Sequence, residues 1–129
     1  MPTAYDAFHS ACPARELHDR ISDRWVSLIM NALAEGDHRY SDLSRVVLGI
    51  TQKMLTQTLR RLERDGLVSR TVIPQRPVRV DYSLTPLGRS LLPVMRAIKL
   101  WAEAHIEDVH AARADYDTLT SGAGSGAAG

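Results

Sequence analysis
Lys53, Gln57, Arg60 and Arg64 recur three or four residues apart, the spacing that lines one face of an α-helix. Arginine and lysine donate to the O6 and N7 acceptors of guanine, glutamine pairs with adenine, and all three reach phosphate oxygens. Thr51 and Gln52 precede this row, and Thr56 and Arg61 flank it. At about 100° per residue, Leu55, Leu59 and Leu62 gather on the reverse side. A helix that buries those leucines must present the basic and amide row outward. Thr51 suits the N-cap, and Gly66 suits the end just past Asp65. Unpaired backbone N–H groups near Gln52 can also meet a phosphate. Most charged helix faces are merely solvated, so the meaning of this one depends on its neighbours.

Upstream, a short helical pattern begins near Ser41 and is expected to bury Leu43, Val46 and Val47 before the turn Leu48-Gly49-Ile50. Downstream, Val68 to Ile73 and Val78 to Leu84 read as two strands joined by Pro74-Gln75-Arg76-Pro77. Val78, Val80, Tyr82 and Leu84 alternate with Arg79, Asp81 and Ser83, so one face of the second strand is expected to be buried. Helix, turn, helix and basic hairpin form the layout of a winged helix-turn-helix. Arg76 and Arg79 in the wing are candidates for phosphate contact or for entry into a narrow minor groove. The two prolines restrict the tip and reduce the entropy lost on binding. The plainer alternative is an exposed hairpin whose arginines serve solubility.

Charge is concentrated on these elements. The whole chain carries +1. Residues 51–80 hold seven basic and two acidic side chains, a net +5, while residues 1–50 and 81–129 each come to −2. A basic focus on a near-neutral body fits a specific DNA contact surface better than a non-specific coat.

The remaining elements supply support. The 129 residues, 44% of them hydrophobic, suit one modest folded domain. Met1 to Ala11 has no period and reads as a flexible arm, 1–11. Cys12-Pro13 opens a first helix carrying Leu17 and Ile21. Ser22 or Asp23 caps a second, with Trp25, Leu28, Ile29, Ala32 and Leu33 at helical spacing and Gly36 at its end. Thr85-Pro86 starts a long helix with a broad apolar stripe, kinked near Pro93. Leu91, Met95, Ile98, Trp101 and Ile106 on that stripe are the candidate homodimer interface, with Trp101 as anchor. The Gly/Ala/Ser-rich segment 118–129 reads as a disordered tail, leaving 12–117 as the DNA-binding and dimerisation domain. The fold class is thus mainly α with a small β-hairpin, a winged helix-turn-helix with N- and C-terminal dimerisation helices.

Several classes of chemistry find no motif. Cys-x-x-Cys, His-Glu-x-x-His, Gly-x-Ser-x-Gly and a phosphate-binding glycine loop are missing, and the five histidines are scattered. No enzyme activity, metal or cofactor is expected. With no secretory pattern and no apolar run near about 20 residues, the expectation is a cytoplasmic protein with no membrane partner.

Residues Cys12 to about Trp101 resemble the HxlR-type regulators, a MarR-related branch of bacterial winged-helix transcription factors. The resemblance rests on Cys12-Pro13, DRWVSLIMNALAEGDHRYSDL, GITQKMLTQTLRRLERDGLVSR, PVRVDYSLTPLGRSLLPV and Trp101, in that order. It implies a homodimeric, DNA-binding regulator, often a repressor. The wing turn Gln75-Arg76 departs from the acidic residue common there, and Arg24 stands where a lysine usually precedes the tryptophan. Some members sense quinones, aldehydes or oxidants through a cysteine at the position of Cys12. Its place at a helix N-terminus, with Arg15 one turn on, favours a thiolate. As the single cysteine, it can form a disulfide only with another subunit or a small thiol. The alternative is an inert cysteine packed in the fold.

The expected function is therefore a sequence-specific transcriptional regulator. Its expected partners are a pseudo-palindromic duplex DNA operator, a second copy of the chain, and a small electrophile or other effector. Two alternatives stand beside it: control by a non-covalent ligand, and a winged-helix protein–protein module without DNA binding.

Overall fold
The computed structural model describes residues 5–128. Five helices and three strands follow one another as α1 (Pro13–Ile21), α2 (Arg24–Ala34), β1 (His38–Arg39), α3 (Tyr40–Val46), α4 (Gln52–Arg64), β2 (Val68–Ile73), β3 (Arg79–Leu84) and α5 (Pro86–Ala128). The strands form an antiparallel sheet in the order β1-β3-β2. Tyr82 is its register centre, opposite His38 on one side and Arg70 on the other. This is the winged helix-turn-helix architecture, mainly helical with a small sheet.

Local chemistry sets the element ends. The Asp23 carboxylate accepts from the Trp25 N–H at 2.7 Å and caps α2. The Thr51 hydroxyl accepts from the Met54 N–H at 3.1 Å and caps α4. Such caps are each worth about 1 kcal/mol. At the far end of α4, Gly66 takes φ +77°, which only glycine adopts freely. The Leu67 N–H then returns to the Leu62 carbonyl and the Gly66 N–H to Glu63, closing a Schellman turn that aims the chain into β2. The Gly88 N–H donates to the Thr85 hydroxyl at 3.0 Å. A side chain on Gly88 would overlap the Leu67 carbonyl, so α5 starts tight against β2.

The core draws on every layer of this body. Ile29, Met30 and Leu33 of α2, Leu43 of α3, Leu55, Leu59 and Leu62 of α4, and Val68 of β2 are fully buried. Truncating such a leucine to alanine costs about 2–5 kcal/mol. Val46 and Leu28, expected inside, are exposed: each falls on the outer edge of a helix too short to bury its whole apolar arc. Val78 is exposed as well, because β3 begins one residue later, at Arg79. Strand β1 was not expected at all.

The chain divides into two compact units, Met1–Pro93 and Val94–Gly129. The first holds the winged-helix core just described. The second is the long continuation of α5, a single helix with few means of burying its own side chains. Ile98, Leu100, Trp101, Tyr116 and Leu119 are exposed on it. Within it, the Trp101 and His105 rings stack with centroids 4.6 Å apart, and Lys99 pairs with Glu103 one turn on. Helix α5 runs on to Ala128, where composition points to a disordered tail over 118–129. Extending a formed helix requires no new nucleation, which works against the poor helix propensity of Gly122, Gly124 and Gly126. Residues 1–4 of the expected arm and Gly129 lie outside the described residues. Within the expected arm 1–11, residues 6–11 form turns that lead to Cys12. His9 N–H donates to Asp6 and Cys12 N–H to His9, giving successive turns into α1.

Candidate nucleic-acid interface
The α3–α4 turn passes through Gly49 at φ +89°, close beneath the Trp25 ring. The turn sends α4 across the body with Leu55, Leu59 and Leu62 inward. Their burial fixes the helix rotation, so Gln52, Lys53, Gln57, Arg60 and Arg64 all stand exposed, as their spacing predicts. All five are cations or amides, and Lys53, Gln57, Arg60 and Arg64 align along one outward strip.

The other residues singled out from the sequence differ in availability. Thr51 is exposed, but its hydroxyl is engaged as the cap. Thr56 is half-buried and bonded at 2.9 Å to the Tyr40 hydroxyl, which also donates to the Gln52 carbonyl at 3.1 Å. Tyr40 thereby pins the first half of α4 to the start of α3. Arg61 is exposed on the opposite flank, in a cleft of about 330 Å³ beside Glu16, Asp19, Arg20 and Asp23. On the wing, Arg76 is exposed at the tip. Arg79 is half-buried and grips Asp81 through Nε at 2.7 Å and Nη2 at 3.1 Å. That pair holds the Asp81 carboxyl below its ordinary range, chiefly through the hydrogen bond from Arg79, and raises the Arg79 guanidinium.

Two contributors escaped sequence reasoning. Arg70 of β2 is exposed and lines a cleft of about 350 Å³ with Thr56, Arg60 and Glu63. It was counted in the basic segment, but only the register Arg70↔Tyr82 places it beside the strip. The other is Arg20, on α1. Its Nη1 meets the Asp65 carboxylate at 2.6 Å and its Nη2 meets Glu16 at 3.1 Å. Asp65 is the C-cap of α4, so this pair fastens α1, which buries no residue of its own, to the end of the exposed helix. The sequence separation of 45 residues hides it from any local pattern.

Comparison with known proteins decides the family. The model for the HxlR-like helix-turn-helix matches residues 20–110. The HTH-type transcriptional regulator YtfH of Escherichia coli strain K12 is 43% identical over 106 residues, covering 82% of this chain and 84% of that protein. A solved structure of the ytfH regulator from Salmonella typhimurium superposes with a TM-score of 0.80 at 41% identity, over 84% of this chain and 97% of that one. The redox regulator HypR in its reduced form gives 0.71 at 36%, over 77% and 98%. The chain belongs to the HxlR-like helix-turn-helix family. It is an HTH-type transcriptional regulator.

In this HxlR-like regulator Cys12 is the N-cap residue of α1 and half-buried. The Arg15 guanidinium turns to the Phe8 carbonyl at 3.2 Å rather than to the sulfur. On α5, Ile98, Trp101 and Ile106 are exposed, Leu91 is half-buried, and Met95 is only 4% exposed. Among the described residues no cluster of three His, Cys, Asp or Glu side chains could hold a metal, and no helix is long and apolar enough to cross a membrane.

Proposed function
We propose that this HxlR-like regulator binds a pseudo-palindromic operator in duplex DNA as a homodimer, acting as a repressor, with Cys12 as its thiol sensor. One observation carries the DNA-binding part. Lys53, Gln57, Arg60 and Arg64 form an exposed strip on α4 while the leucines opposite are buried. A helix so oriented offers base-reading and phosphate-binding groups to a major groove. A protein-docking helix would instead expose apolar anchors there. The homodimer is supported by Ile98, Trp101 and Ile106, apolar groups left open on a long helix. Pairing two copies about a dyad would set two α4 helices roughly 34 Å apart, one helical turn of DNA.

Fluorescence anisotropy against duplexes from the chain's own upstream region tests this reading, alongside sedimentation at micromolar concentration. Salt-dependent binding by a dimer is expected. A monomer that ignores every duplex would overturn the proposal.

The sensor role is supported by the position of Cys12 at a helix N-cap and by similarity to HypR, whose structure is described as that of a redox regulator. With one thiol per chain, diamide would oxidise the Cys12 thiols of two subunits. Two protons and two electrons pass to the azo bond, giving one disulfide and one hydrazine. Oxidation should release DNA from the wild type and not from Cys12→Ser. Equal behaviour of both proteins would make Cys12 structural.

A further inference from the structure
Between the start of α3 and the wing lies a cleft of about 460 Å³, lined by Arg39, Tyr40 and Ser41 on one wall and by Gln75 and Arg79 among the wing residues. We propose that this cleft seats one phosphodiester of the DNA backbone, with Arg39 as its principal charge and the Ser41 hydroxyl as a donor. The inference rests on the DNA-binding reading and extends it to residues outside α4.

The argument begins with topology. If α4 enters a major groove and the wing reaches the neighbouring minor groove, the sugar-phosphate strand between those grooves must pass between α4 and the hairpin. The cleft adjoins that gap on its α3 side: its walls are β1, the start of α3 and the wing, with Pro77, Val78 and Val80 among the wing residues and none from α4. Tyr40 ties its first wall to α4 through the bonds to Thr56 and the Gln52 carbonyl. Backbone pairing of Arg39 with Asp81 ties the same wall to β3 of the wing. Arg39 therefore stands where the helix-turn-helix and the wing are joined, and its position is fixed relative to both.

Electrostatics favours an anion there. Two carboxylates lie nearby, and each is already engaged. Asp81 is gripped by Arg79 through two hydrogen bonds. Asp42 accepts from the Arg39 backbone N–H at 3.3 Å and from Arg45 at 3.0 Å. Among the described residues no carboxylate lies within ion-pair distance of the Arg39 guanidinium, although its charge contributes, after Arg79, to holding the cross-strand Asp81 carboxyl low. It is an exposed cation at the mouth of a concave site, with the Ser41 hydroxyl and the Gln75 amide beside it. Phosphate fits this donor set, since guanidinium forms paired, charge-assisted bonds to its oxygens. A base edge fits less well, because the gap faces the strand rather than the groove floor.

Salt dependence of duplex binding provides the test. Full-length wild type, Arg39→Ala and Arg39→Lys would be titrated with an operator duplex and a scrambled duplex over a range of salt. Arg39→Ala should lower the slope of log affinity against log salt by about one unit for each protomer engaged. The loss should be equal on both duplexes, because a phosphate carries no sequence. Arg39→Lys should keep most of the slope, which separates lost charge from disturbed folding. A slope for Arg39→Ala equal to wild type would overturn the seat while leaving DNA binding intact, and so would a loss confined to the operator. Wild type that binds neither duplex would overturn both.

Discussion
Helix α4 has two flanks, and they carry opposite electrostatic surroundings. On the wing side, Arg60 shares a cleft with Arg70, Thr56 and a single carboxylate, Glu63, and Tyr40 stands behind Thr56. On the α1 side, Arg61 faces Glu16, Asp19 and Asp23, and Arg20 locks onto Asp65. Arg60 and Arg61 are adjacent in sequence and equally basic. Their neighbours separate them. Arg60 adds to a cationic surface that can meet DNA. Arg61 shares its cleft with three carboxylates, of which Glu16 is paired with Arg20, and their field lowers the positive potential around it. A helix carrying many basic residues thus offers a cationic flank only where the packed elements beside it leave that charge uncompensated. The acidic flank serves a different end: it fastens α1 to the helix.

The sharpest way to break this comparison is to remove each arginine in turn. Arg60→Ala should cost about 1–3 kcal/mol of operator affinity, roughly 5- to 150-fold, if it reads a base. Arg61→Ala should cost several-fold less. Thermal midpoints of both should stay near wild type, because both side chains are exposed. Anisotropy titrations on one operator duplex measure the pair directly. Equal losses would mean that the α1 flank also meets DNA and that the acidic neighbours do not matter.

Much of this arrangement was legible in the sequence, for definite reasons. The rotation of α4 follows from Leu55, Leu59 and Leu62, whose burial leaves no other solution. Thr51, Asp23 and Gly66 mark element ends through side-chain chemistry and φ preferences that operate locally. Strand β1 was illegible because two residues cannot display a period of two. The Arg79–Asp81 pair was within reach, since alternate residues of a strand share a face, yet alternation alone does not say whether two charges will meet or diverge. Arg20–Asp65 and the placement of Arg70 beside Arg60 depend on tertiary packing, which sequence spacing does not encode. The exposure of Val46 was illegible for a related reason: an apolar side chain is buried only where a neighbouring element covers it.

A second experiment sharpens the contrast at the α1 flank. Arg20 and Asp65 are about one-fifth exposed, so their bond is less screened than an open surface pair. Arg20→Ala should cost about 1 kcal/mol of stability and lower the thermal midpoint by roughly 4–8 °C for a body of this size. Operator affinity should fall only a few-fold, through looser support of α4 rather than a lost contact. The double exchange of Arg20→Asp with Asp65→Arg should recover much of the midpoint, which a simple packing role for Arg20 would not allow. No recovery in the exchanged protein would show that the ion pair is not what holds α1.

The smallest expected effect lies at the wing, where one arginine, Arg79, is bonded directly to a single carboxylate. Asp81→Asn removes the partner that Arg79 grips and leaves its guanidinium free to turn to a phosphate. Operator binding should tighten a few-fold, and its salt slope should steepen by about one unit per protomer. Acid should reproduce the release. The Asp81 carboxyl sits below its ordinary range because the bond from Arg79 favours the charged form. A depressed carboxyl stabilises the fold above its unfolded-state value, and that contribution is lost as pH falls through the lower folded value. The pair should therefore persist across neutral and mildly acidic pH and open only below the usual carboxylate range. Salt titrations of wild type and Asp81→Asn at neutral pH make the comparison in the simplest form. A variant that binds no more tightly, with an unchanged slope, would mean that Arg79 acts only within the hairpin, and the DNA-facing flank would then end at Arg39 and Arg70.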